Sequence, residues 1–161
     1  MKIVVLTSDA KGTASRVLPA LAGAENVEVT SVILANGVSS NKKRTIKKKI
    51  IKTYKIGLMG ALNGIRMRDW YANKDVDSIQ SVCKSNGVEL LETPYINCEG
   101  TRELLKGTEA DLGVSLGNGY IGEKVYSIPK YGMVNLHTEI LPEFRGAQSI
   151  IWPIFEGSDE T

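Results

Sequence analysis

The chain has 161 residues, 42% of them hydrophobic and 24% charged, with sixteen Gly and five Pro. This is the composition of an ordinary folded domain, which excludes a disordered or fibrous chain, and the length supports one sizeable core without metal or disulfide staples. The net charge of +2 is unevenly placed: Lys42, Lys43, Arg44, Lys47, Lys48, Lys49, Lys52 and Lys55 supply eight positive charges without one acid between them, so the remainder is mildly acidic.

The opening run, Lys2 to Thr7, is apolar too briefly for a signal peptide and reads instead as a buried first strand; residues 13–22, with Val17, Leu18 and Leu21 on one side, read as the following helix, disturbed at Pro19. Residues 27–34, rich in Val, Ile and Thr, form a second strand. In the basic segment Ile46, Ile50, Ile51, Tyr54 and Leu58 recur at helical spacing, giving an amphipathic helix that Gly57, Gly60 and Gly64 should interrupt. That segment admits three readings: a solvated face, an anchor for a polyanionic substrate, or a helix lying on a membrane surface. Arg66, Arg68, Trp70 and Tyr71 would extend a binding face or pack the helix end.

Residues 75–84 predict an amphipathic helix stopped by Asn86-Gly87, a C-cap signal. Short strands follow at 88–91, 112–116 and 132–136, with a short helix at 101–105 and a further helical pattern over 147–155 that Pro153 must kink. Alternation of helices with short apolar strands predicts an α/β doubly wound, mainly parallel sheet in the order 3-2-1-4-5, a Rossmann-like fold in one domain over 1–161. Ligands of such sheets bind beyond the carboxyl ends of the strands, which selects the loops after Leu6, Leu116 and Leu136. The first of these lacks G-x-G-x-x-G, so a dinucleotide loses its usual anchor. No metal is implied: His137 is the only histidine, and the two cysteines, Cys83 and Cys98, have no ligand-like spacing and fit a reducing compartment. No apolar run approaches the roughly 18 residues of a membrane span, and a cytoplasmic location is expected.

The stretch Asn135-Leu136-His137-Thr138-Glu139-Ile140-Leu141-Pro142-Glu143-Phe144-Arg145-Gly146 carries the most chemistry. A strand end places Asn135 and His137 two residues apart on one side, where an amide donor and an imidazole can converge on one reacting atom, while Val134, Leu136, Ile140 and Leu141 are expected to anchor the strand and turn. Such a pair suits a developing oxyanion. Residue types alone leave open the alternative of a strand-end Asn capping a turn and a lone histidine satisfied in the core.

Gly132 to Gly146, with its Asn-x-His on a strand end followed by Leu-Pro and Gly, resembles the signature of the folate-dependent formyltransferases, and residues 111–121 are similar to the strand and loop that line the pteridine pocket in that family. The resemblance implies that Asn135 holds the formyl oxygen, that His137 assists as oxyanion stabiliser or acid/base group, and that Gly117, Asn118, Gly119, Tyr120 and Ile121 contact the pteridine of 10-formyltetrahydrofolate, the co-substrate. Ser8 and Lys11 in the first loop, and Glu139, Arg145 and Gly146 after the histidine, are then the candidates to touch the amine acceptor. Glu139 departs from the small or hydroxyl residue usual in the family, and the loop 7–13 matches neither the ribonucleotide nor the tRNA branch, which turns the expectation toward a nucleotide-linked amino sugar. A methionyl-tRNA-type formyltransferase and a non-catalytic interaction domain of the same fold are the alternatives. The family's catalytic aspartate lies beyond the position of Thr161, so the chain is expected to be an incomplete N-terminal catalytic domain, truncated at its C-terminus, inactive alone, and prone to homo-oligomer contacts at an exposed sheet edge.

Overall fold

A computed structural model describes residues 1–37, 42–70, 75–137, 141 and 155–157. Five strands, β1 (Lys2–Thr7), β2 (Glu28–Ala35), β3 (Glu89–Thr93), β4 (Leu112–Leu116) and β5 (Met133–Asn135), form one sheet in the order β3-β2-β1-β4-β5, and every pair is parallel. The predicted order is therefore the observed one. β1 is central and, from Ile3 to Thr7, buried on both faces, which is why its sequence shows no polar alternation.

Helices cover the two faces. On one, Leu18 of α1 (Thr13–Ala22) and Ile79, Val82 and Cys83 of α3 (Ile79–Asn86) pack with Val5, Val32, Leu34 and Leu116. On the other, Leu105 of α4 (Glu99–Gly107) and Val125 of α5 (Glu123–Tyr126) pack with Val4, Leu6, Ile33 and Ala35. Burying each large aliphatic side chain contributes about 1.5–3 kcal/mol. Cys83 is thus a core residue, and Cys98 is the N-cap of α4.

Several boundaries differ from expectation for identifiable reasons. α1 runs through Pro19. α3 begins four residues late because the Ser78 hydroxyl accepts a hydrogen bond from the Ser81 amide and so caps the helix there, while Gly87, at φ 66°, closes it in the left-handed conformation as Asn86-Gly87 predicted. α2 (Lys42–Trp70) is broken only at Gly57, at φ 71° and ψ 169°; Gly60 and Gly64 stay helical, since a glycine costs about 1 kcal/mol in a helix and does not end one by itself. α5, a single turn, is too short for periodicity to reveal. β5 forms without the expected anchors: Val134, Leu136 and Leu141 are exposed, and the strand is held by its pairing to β4. Tyr71, Ile140, Pro142 and most of the pattern over 147–155 lie outside the described residues.

Gly37, just after β2, packs against the chain after β3 so closely that a Cβ there would lie 1.9 Å from the Pro94 carbonyl oxygen. Gly37 therefore sits at the carboxyl-terminal rim of the sheet, against the end of β3.

Candidate active site

The loops after β1 and β4 meet the end of β5 at that same rim. The loop after β1 turns at Thr7, whose hydroxyl accepts from the Asp9 amide at 3.1 Å, and Asp9 lies between the first and fourth strands' loops. Gly117 takes φ 70°, and a Cβ there would sit 2.7 Å from Asp9 Oδ2. Glycine is thus required by the backbone conformation, and any larger residue would also push the Asp9 carboxyl aside. Burial pushes the Asp9 carboxyl above its ordinary range.

A run of hydrogen bonds crosses from β1 to β5 and fixes the orientation of Asn135. Asn118 Nδ2 donates to the Leu6 carbonyl at 2.7 Å and to Ser115 Oγ at 3.0 Å. Ser115 Oγ, fully buried, donates in turn to Asn135 Oδ1 at 2.8 Å. A backbone carbonyl can only accept, so it dictates which end of the Asn118 amide faces it; the Ser115 proton is then directed to Asn135, and the Asn135 amide must present its oxygen to Ser115. Its Nδ2 donor is the end left for chemistry. The other end of Asn118, Oδ1, accepts from Ser8 Oγ at 2.9 Å.

Ser115, Gly119, Ile121, Tyr126, Met133 and Asn135 line a cavity of about 360 Å³. This is the scale of a small-molecule site, apolar with few polar groups. Its loop is clamped from the neighbouring connection by Asn97, whose Nδ2 donates to the Tyr120 carbonyl at 2.8 Å and whose Oδ1 accepts from the Gly122 amide at 2.7 Å.

Of the residues singled out from sequence, the structure brings Asn135, Gly119 and Ile121 to the cavity, with the half-buried His137 two residues beyond Asn135. The Asn118 side chain is a strut between the loop and β1, and Tyr120 is exposed with its carbonyl held by Asn97. Ser8 joins the strut network, and Lys11 lies exposed in the first loop. Glu139, Arg145 and Gly146 lie outside the described residues. Sequence reasoning missed Ser115 and Asn97, whose partners are 20 to 25 residues away; only the amide and hydroxyl at the edges of the pocket loop hinted at them. Among the described residues no group of His, Cys, Asp and Glu is placed to hold a metal ion, and no helix is long and apolar enough to cross a membrane.

No protein-family profile matches the chain. It is 32% identical over 118 residues to a methionyl-tRNA formyltransferase of Trichodesmium erythraeum, covering 71% of this chain and 35% of that protein, and 33% identical over 84 residues to one of Citrifermentans bemidjiense, covering 52% and 26%. The chain thus spans about a quarter to a third of these curated relatives. Among solved structures it is similar to a phosphoribosylglycinamide formyltransferase from Anaplasma phagocytophilum, with a TM-score of 0.59 at 19% identity over 98% of this chain and 59% of that one. It is also similar to glycinamide ribonucleotide transformylase 1 from Symbiobacterium toebii, with a TM-score of 0.61 at 15% identity over 98% and 60%. The structural likeness carries the five-stranded parallel fold, the sequence likeness carries the kinship, and together they place the chain in the formyltransferase family, as a domain like the N-terminal one.

Proposed function

We propose that this chain is the N-terminal catalytic part of an enzyme that transfers the formyl group of 10-formyltetrahydrofolate to a primary amine, in the cytoplasm. The observation that carries the reading is the orientation of Asn135: the Leu6–Asn118–Ser115 relay turns its amide donor out at a cavity of about 360 Å³, two residues before His137. On this reading the pteridine lies in the cavity against Gly119 and Ile121, with the formyl oxygen toward Asn135 Nδ2. When the amine attacks the formyl carbon, negative charge gathers on that oxygen, where a fixed donor is worth more than to the planar formyl group; the bond from carbon to N10 then breaks, and tetrahydrofolate leaves with the proton the amine gives up. His137 stabilises the same oxygen or moves the amine proton, and Gly117 to Ile121 keep the ring in place.

The acceptor we favour is a nucleotide-linked amino sugar, because the loop 7–13 matches neither better-known branch of the family. The second reading, a methionyl-tRNA acceptor, is favoured by the names of the relatives reported above. The test uses the full-length protein: 10-formyltetrahydrofolate labelled in the formyl carbon is offered with UDP-linked amino sugars and, separately, with methionyl-tRNA. Label in the sugar is expected. Label only in methionyl-tRNA replaces the acceptor, and absence of a thermal shift with the 5-formyl analogue at millimolar concentration overturns the folate reading itself.

A further inference from the structure

α2 stands apart from the two packed cores. Ile46, Ile50, Ile51, Tyr54 and Ile56 before Gly57, and Leu58, Met59, Leu62 and Ile65 after it, are all exposed, Tyr54 to 90%. Ile46, Ile50 and Tyr54 follow one another at intervals of four, as do Leu58 and Leu62, with Ile65 a turn further on, so each half of the broken helix presents an apolar stripe. Scattered exposed aliphatics are ordinary, but nine on one element form a surface that asks for a cover.

The charge of the same element indicates the cover. Its first half carries eight Lys and Arg and no acid, and Lys47 and Lys55 are exposed beside the apolar stripe. A protein core would leave these cations desolvated, and an RNA backbone would meet them but leave the isoleucines and leucines in water. An anionic bilayer surface satisfies both, taking the apolar side chains at the level of the upper acyl chains and the lysines among the head groups. The Gly57 break lets the halves lie separately on a flat surface.

We infer that α2 is a membrane-surface element that docks the domain on bilayers rich in anionic head groups. The inference is independent of the formyl-transfer reading, because its readout is lipid binding alone. The full chain is sedimented with vesicles of phosphatidylcholine and with vesicles of phosphatidylcholine mixed with phosphatidylglycerol. Binding to the anionic vesicles is expected to be about tenfold or more the stronger and to weaken in high salt. Ile50→Glu combined with Tyr54→Glu should abolish it, and Lys47→Gln combined with Lys55→Gln should reduce it, with circular dichroism and thermal melting unchanged since these side chains touch neither core. The proposal is overturned by absence of binding to the anionic vesicles, by binding that ignores the Glu substitutions, by tRNA retention on filters that the lysine pair controls in the absence of any lipid binding, or by a concentration-dependent dimer that the Glu substitutions dissociate.

Discussion

At the scale of single residues, the candidate site depends on which way one amide faces. The Leu6 carbonyl is the only member of the relay whose role cannot be reversed, and it reaches Asn135 through two side chains, each of which can both donate and accept. Ser115→Ala leaves Asn118 on the Leu6 carbonyl but frees the Asn135 amide to turn over. On the proposed function, kcat for formyl transfer should fall about 5–30-fold while KM for the folate moves less than about twofold, with about 1 kcal/mol lost in urea unfolding. An unchanged kcat would show that Asn135 needs no such orientation.

Cys98 gives a second residue-scale prediction. Burial acts to raise its thiol, but hydrogen bonds with the Thr101 and Thr93 hydroxyls and backbone contacts at Thr101 and Tyr95 outweigh this and lower it to about 7. Thiolate is the nucleophile, so iodoacetamide labelling of Cys98 should rise through pH 7, while Cys83, buried and pushed upward, lags behind it. Thr101→Val should move the Cys98 midpoint up. The sign for stability follows: a folded-state value below the unfolded one adds stability that is complete above the unfolded value and is lost as pH falls through about 7.

At the scale of elements, the loop between β4 and α5 has little regular structure of its own and takes its shape from outside. Asn97 holds Tyr120 and Gly122 with both ends of one amide, and the strut Asn118 holds the loop's other end. Asn97→Ala should therefore loosen the pocket wall without touching Asn135. Isothermal titration with the 5-formyl folate analogue is expected to show binding weakened about 5–20-fold, with kcat at saturation within about twofold of the parent. An equal loss in kcat would place Asn97 in the chemistry instead of in the wall.

At the scale of the whole molecule, one sheet serves two cores, so damage to either should be felt throughout. Leu18 and Leu105 are buried on opposite faces, under α1 and α4. Replacing either by Ala removes a buried isobutyl group and leaves a cavity, a loss of about 2–5 kcal/mol. Calorimetry of Leu18→Ala and of Leu105→Ala should show lowered but still single transitions, because β1 and β2 contribute to both cores. Two separate transitions would mean that the faces fold independently.

The sequence by itself determined the architecture. Residues 3–7 are apolar without alternation because the central strand is covered on both faces, and Asn86-Gly87 ends a helix because Gly87 accepts the left-handed conformation at no steric cost. It also put Asn135 and His137 together at one strand end, because theirs is a local relation of two residues. Tertiary structure decided what local pattern cannot carry: that Ser115, Asn118 and the Leu6 carbonyl align Asn135, that Asn97 clamps the pocket loop, and that the apolar stripe of α2 stays exposed and outside both cores among the described residues. The reason is separation along the chain. Asn118 and Leu6 are 112 residues apart and meet only because parallel pairing sets β4 beside β1, and a hydrogen bond between such distant groups leaves no periodic trace in either segment.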